Sequence, residues 1–227
     1  GVACGRLLYR NPKGESMGEM EGLYARYDQW IRMQESEIHS TIGAIGAMYA
    51  IRRHLYSKID PDVCDDFTIP LLIYRQGFRV IYEKGAKAYE DTDENTTHAF
   101  KRRARTVLRE LVALKKNWSE LQPITGFFGF QLLSHKILRW LVPFMLVGIF
   151  LGTWFLLDTT IGLILLSVQL IFYGAACVGL WLDKNGINSP VLRIPFYFCV
   201  ANAAAFVAVT EFIRGKSIAH WQITRQG

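Results

Sequence analysis

Residues 140–157 read WLVPFMLVGIFLGTWFLL, with no Asp, Glu, Lys or Arg among them. A helix rises about 1.5 Å per residue and a bilayer core is about 30 Å thick, so roughly 20 apolar residues cross it. The stretch comes close to that length. Two more uncharged runs follow, TTIGLILLSVQLIFYGAACVGLWL at 159–182 and IPFYFCVANAAAFVAVT at 194–210. Buried helices of a large soluble core are the alternative. Three such runs in close succession, with Trp and Arg at their ends, fit transmembrane α-helices better.

Outward from this block the composition changes abruptly. A hydrophobic fraction of 51% and a charged fraction of 20% would suit an ordinary globular protein. Here nearly all the charge falls in 1–120 and very little in 137–213, so the chain meets two solvents. The formal net charge is +6, and much of it sits between Lys101 and Lys116. A basic cluster beside an apolar region suits lipid headgroups or phosphates. Nothing else in the chain points to nucleic acid. If the polar part is cytoplasmic, Lys184 and Arg193 fall on the positive-inside face, while three spans carry Arg214, Lys216 and Arg225 across.

Cys4, Cys64, Cys177 and Cys199 make no CxxC pair, and two of them lie in apolar runs. This argues against a disulfide framework or a zinc site and for a reducing compartment.

The polar part alternates strands and helices. Residues 2–9 read as a strand ending in a turn at Asn11-Pro12-Lys13-Gly14, and 19–37 as a helix with Leu23, Tyr27, Trp30 and Ile31 on one face. Residues 42–53 read as a buried loop-strand where small residues allow close approach. A helix is expected from Cys64–Asp66 to Gln76, with Pro70 near its first turn and Gly77 as its C-cap. Strand segments 78–82 and 86–89 flank Glu83-Lys84-Gly85. The clearest amphipathic helix spans 97–118, with Phe100, Ala104, Val107, Leu111, Leu114 and Trp118 on one face. Residues 127–136 suit the membrane interface.

Three segments offer chemistry. Asp62-Val63-Cys64-Asp65-Asp66-Phe67 puts carboxylates at a helix start, where the helix dipole keeps them ionised; one is a candidate general base, although Asp is also a preferred N-cap. Arg102, Arg103 and Arg105 present bidentate donors that suit phosphate oxygens; the plainer reading is a solvated or lipid-facing helix side. Gly46, Ala47, Met48, Tyr49 and Arg52 offer small and aromatic surfaces that suit a sugar ring, or tight packing of a central strand. His39 reads as a supporting residue.

In this order, a helix with Tyr and Trp, GAMYAIRR, DDF, FRVIYE, an Arg-rich helix and then apolar helices, the chain resembles the C-terminal half of membrane-bound family-2 glycosyltransferases. These include cellulose, chitin and hyaluronan synthases and bacterial exopolysaccharide transferases. The resemblance covers nearly all of 1–225. It implies an α/β fold, a partial GT-A domain followed by transmembrane helices. Residues 1–120 would be the acceptor side of the catalytic domain, 121–136 an interfacial helix, 137–213 three transmembrane helices and 214–227 a polar tail. It implies inverting transfer from a nucleotide-diphosphate sugar to a lipid-linked or polysaccharide acceptor, at the cytoplasmic face of a bacterial inner membrane. Asp66 would be the base, with Asp65 its neighbour. The family's Gln-x-x-Arg-Trp motif has its nearest match at Arg102-Arg103-Ala104-Arg105-Thr106, where Arg105 takes the Arg role while Arg102 and Thr106 replace Gln and Trp. The nucleotide-binding strands, and the Asp-x-Asp that holds Mg²⁺ or Mn²⁺, are expected N-terminal to Gly1; Asp60-Pro61-Asp62 lies in the wrong place for it. On this reading residues 1–227 alone are inactive. The rival is a non-catalytic membrane-anchored scaffold or regulatory protein. A transporter is disfavoured by the lack of an intramembrane charge pair.

Overall fold

A computed structural model describes residues 1–10, 16–91, 96–121, 126–187 and 189–216. The turn expected at Asn11–Gly14 and Arg225 of the tail lie outside the described residues. The elements are β1 (Val2–Arg10), α1 (Ser16–Ile38), β2 (Tyr49–Ile51), α2 (Asp65–Arg75), β3 (Val80–Asp91), α3 (Thr96–Lys116) and α4 (Trp118–Leu121). Three long helices follow among the described residues: α5 (Gly126–Trp154), α6 (Thr160–Lys184) and α7 (Pro190–Ile213). The architecture is thus mixed α/β, with a small sheet and, among the described residues, three helices long and apolar enough to cross a membrane.

The sheet has the order β2-β1-β3, with β1 antiparallel to β2 and parallel to β3. Parallel neighbours need a long crossover. Here α1, β2 and α2 all fall between β1 and β3 and supply it. The two strand segments expected around Glu83-Lys84-Gly85 are one strand with an irregularity at that place. Gly5 pairs with Glu83 while Arg6 pairs with Lys87. A side chain at Gly5 would meet the Ala86 carbonyl oxygen at 2.8 Å, so glycine is needed at this step.

Helix α2 is packed on two sides. Ile69 and Ile73 meet Val2, Cys4 and Val80 of the sheet, while Phe67 and Leu71 join Val107, Leu108 and Val112 of α3. The second cluster also takes in Phe128, Leu132 and Trp140 of α5 and Ala208 and Val209 of α7. One apolar core therefore welds the α/β part to the long helices. The expected C-cap is present, Gly77 adopting φ +85°.

Two expectations change. Pro70 lies in the middle of α2 rather than near its first turn, and it has no N–H to donate to the carbonyl of Asp66. That carbonyl is taken instead by the Ala44 N–H at 2.7 Å. The apolar face of α1 is also outward: Leu23, Tyr27 and Trp30 are exposed, whereas Gln29 and Glu35 are buried. The inward polar residues are bonded. Gln29 donates to the Leu7 carbonyl and accepts from Arg6 Nε at 3.1 Å, and Glu35 meets His135 at 2.5 Å.

Of the expected interfacial segment 121–136, residues 126–136 are continuous with a longer helix. They are the first turns of α5, joined to its apolar length through a π-helical turn at Leu133–Ile137.

Candidate active site

A cleft of about 790 Å³ opens where α1, the 43–47 loop, α2 and α3 meet α5 and α7. Its chemistry begins at the start of α2. Asp66 lines the cleft and Asp65 does not. The two neighbouring carboxylates are held differently. Tyr49 donates its hydroxyl to Asp65 Oδ2 at 2.9 Å, and the Cys64 thiol donates to Asp66 Oδ1 at 2.8 Å. Burial and the nearby Asp66 carboxylate push the Cys64 thiol well up, so it remains a proton donor. Burial and the Asp65 hydrogen bond do the same to the Tyr49 phenol.

The loop before β2 holds Asp66 from the other side. The Ala44 N–H bonds the carbonyl that Pro70 leaves free, and a side chain at Gly43 would meet that carbonyl oxygen at 3.1 Å. At Gly46 an added Cβ would sit 2.8 Å from Asp66 Oδ2. The glycines expected to allow close approach do so, and what approaches them is the Asp66 residue itself. Of the proposed acceptor-pocket residues, Gly46 and Ala47 line the cleft; Met48, Tyr49 and Arg52 do not.

The basic helix contributes Arg102 and Arg103 to the cleft. Arg105 is not among the lining residues. With 3.6 residues per turn it projects roughly 160° around the helix from Arg103 and roughly 60° from Arg102, so it does not share the face on which Arg103 meets the cleft.

Charges around the cleft match in pairs. Arg32 Nε donates to Asp28 Oδ2 at 2.7 Å, Lys136 meets Glu110 at 2.6 Å, and Arg102 lies 3.8 Å from Glu90. Burial alone would raise the pKa of Asp28, but Arg32, with Lys136 and Arg103 further off, outweighs it and holds the carboxyl below its usual range. Arg32 also donates to the Gly43 carbonyl at 2.7 Å and so ties α1 to the glycine loop.

Three lining charges have no opposite charge in ion-pair contact among the described residues: Asp66, Arg103 and Arg139. Arg103 donates to the Tyr197 hydroxyl at 2.7 Å and stacks over the Tyr24 ring at 4.6 Å. Arg139 of α5 stacks over the same ring at 4.9 Å. Two guanidiniums thus share one aromatic ring. Cation–π contact offsets only part of a charge, about 0.5–2 kcal/mol per contact, and leaves the N–H forks able to bind an anion.

Arg139, Tyr24 and Tyr197 were not singled out from the sequence, and Cys64 was named there without a role at the site. Arg139 had a usable signal, a cation directly before Trp140 at the head of an apolar run. The two tyrosines had none, since their meeting depends on how α1 crosses α7. Among the described residues no group of three His, Cys, Asp or Glu is placed to hold a metal ion. The chain matches no protein-family model and no curated protein.

Proposed function

We propose that this chain carries the acceptor side of an inverting glycosyltransferase of the membrane-bound family-2, GT-A type. The observation that carries the reading is the set of unmatched charges: one carboxylate and two guanidiniums line one cleft in which every other lining charge is paired. Proton removal and phosphate neutralisation need this combination. The order of motifs around it supports the family.

On this reading Asp66 takes the proton of an acceptor hydroxyl as that oxygen attacks the anomeric carbon of the sugar. The bond from that carbon to the diphosphate oxygen breaks on the opposite side, and the configuration inverts. Negative charge grows on the departing nucleoside diphosphate. Arg103 and Arg139, with Arg102 beside them, offset phosphate charge in the cleft. Asp65 is the neighbouring carboxylate, fixed by Tyr49 and not itself the base. The binding of the nucleotide sugar, and of Mg²⁺ or Mn²⁺ with it, is left to residues outside this cleft. The acceptor is a lipid-linked or growing glycan reached from the cytoplasmic face of a bacterial inner membrane.

The test is Asp66→Asn in the intact protein. Loss of a general base lowers transfer by about 10²- to 10⁴-fold. Nucleotide-sugar binding, measured by calorimetry, should be unchanged. Transfer near the wild-type rate would remove Asp66 from this role.

A further inference from the structure

Helix α7 is apolar enough to cross a membrane, and besides α5 and α6, which it meets at Phe144–Phe206 and Phe172–Phe198, it packs along a helix that is not a membrane element. Ala99 of α3 packs with Phe196 of α7, Arg103 bonds Tyr197, and Lys115 lies 5.7 Å from the Phe212 ring. From Ala99 to Lys115 and from Phe196 to Phe212 the two helices advance by the same number of residues. They therefore run side by side, in the same direction, for about 24 Å. Over that whole length α3 belongs to the polar body. Arg102 lies 3.8 Å from Glu90, Arg109 donates to the Pro61 carbonyl at 3.2 Å, and Lys116 reaches Asp60 and Asp62 at 2.7 Å each. A helix bound in this way cannot lie across the hydrocarbon, because its cations and their partners would be stripped of water. A helix lying alongside it is excluded from crossing for the same reason.

Burial agrees. In its most apolar stretch α7 is 28% buried, against 17% for α5 and 11% for α6. One side of α7 presents Phe196, Ala204 and Ala208 to the core, and the other leaves Val191 and Ile213 exposed. At the C-terminal end of α6, Thr96 Oγ1 donates to Asp183 Oδ2 at 2.7 Å, so that end sits beside the polar body.

We infer that α7 lies along the membrane surface, its exposed apolar side in the boundary between headgroups and acyl chains, and that α6 and the apolar length of α5 beyond Arg139 are the crossings among the described residues. The chain then goes out through α5 and returns through α6. Arg214 and Lys216 stay on the same side as the cations of α3, which removes the conflict that three spans create with the positive-inside rule. Tyr197, Ala201 and Ala205 line the cleft, so α7 is also its wall at the membrane surface. This topology holds whatever reaction the cleft performs.

The experiment places the intact protein in sealed vesicles of phosphatidylcholine and phosphatidylglycerol, with a protease-cleavable tag following Lys216, or inserted at Asp158 or at Gly186. The tags at 186 and 216 should be cut from the same side and the tag at 158 from the other. Cleavage of the 216 tag together with the 158 tag overturns the inference. Because an inserted tag can disturb folding, the unmodified protein is also photolabelled with phosphatidylcholine bearing a diazirine either near the headgroup or at the acyl-chain end. Peptides of α7 should react several-fold more strongly with the first probe, and peptides of α6 with both. Equal reaction of α7 with the two probes sinks the idea.

Discussion

Replacing Gly46 by Ala should silence transfer without unfolding the protein. The added Cβ stands 2.8 Å from Asp66 Oδ2, about 0.6 Å inside the 3.4 Å at which ordinary contact begins. Its next contacts are also Asp66 atoms, at 3.5 and 3.8 Å, so the carboxylate must yield rather than the backbone. Yielding pulls Oδ1 away from the Cys64 thiol, which now holds it at 2.8 Å. Gly46 does not have a positive φ, so alanine is allowed there, and the less flexible unfolded chain returns about 0.4–1 kcal/mol. A misplacement of about 1 Å at a reacting centre can cost about 10²-fold, so a shift of several tenths of an ångström predicts a fall in kcat of about 10- to 100-fold. The assay is transfer of radiolabelled sugar by the intact protein in nanodiscs, with thermal unfolding followed in parallel. Full activity at an unchanged Tm would refute the reasoning, because it would mean that the Asp66 carboxylate can move without consequence.

Cys64→Ala should lower kcat several-fold by removing the donor to Asp66, while Cys64→Ser, which keeps a hydroxyl donor, should recover most of it; equal loss in both variants argues against the hydrogen bond. Arg103→Gln and Arg139→Gln should each weaken binding of a phosphate-bearing ligand, by about 1.5–3 kcal/mol per charge-assisted contact, in competition binding with a nucleoside diphosphate. Lys136→Met should destabilise by about 3–5 kcal/mol, because it strands the buried Glu110, and Lys136→Met with Glu110→Met should restore much of that in chemical unfolding. Asp28 has a folded-state pKa below its ordinary 3.8, so its stabilising effect is complete above that value and is lost as pH falls through the lower folded value. A plot of Tm against pH should therefore lose part of its acid limb in Asp28→Asn.

Much of the fold was legible because its signals are local. The apolar runs, the amphipathic stripe of α3, the helix start at Asp65 and the glycine at 77 each depend on spacing within one segment. The outward aromatic face of α1 was not, because periodicity identifies a face without saying what covers it, and the inward face is secured by polar bonds from Gln29, Arg32 and Glu35. Arg105 shows the same limit at the site. A motif match aligns letters, but the cleft sees one side of the helix, and that side carries Arg102 and Arg103. The role of Pro70 could not be read locally at all, since the carbonyl it frees is used by Ala44 from a distant loop. Arg139 and Tyr24 meet only through tertiary packing. Helix α7 carries the lesson furthest: its composition matches that of a membrane span, and only its partner α3 indicates a surface helix.

The central claim is that Asp66 takes the acceptor's proton in the cleft beside Arg103 and Arg139. A structure of the intact protein with an unreactive nucleotide-sugar analogue and an acceptor tests it in one measurement. An acceptor hydroxyl within about 2.6–3.2 Å of the Asp66 carboxylate, with phosphate oxygens against those guanidiniums, is the predicted result. An acceptor hydroxyl resting against Asp65, or outside the cleft altogether, would contradict it.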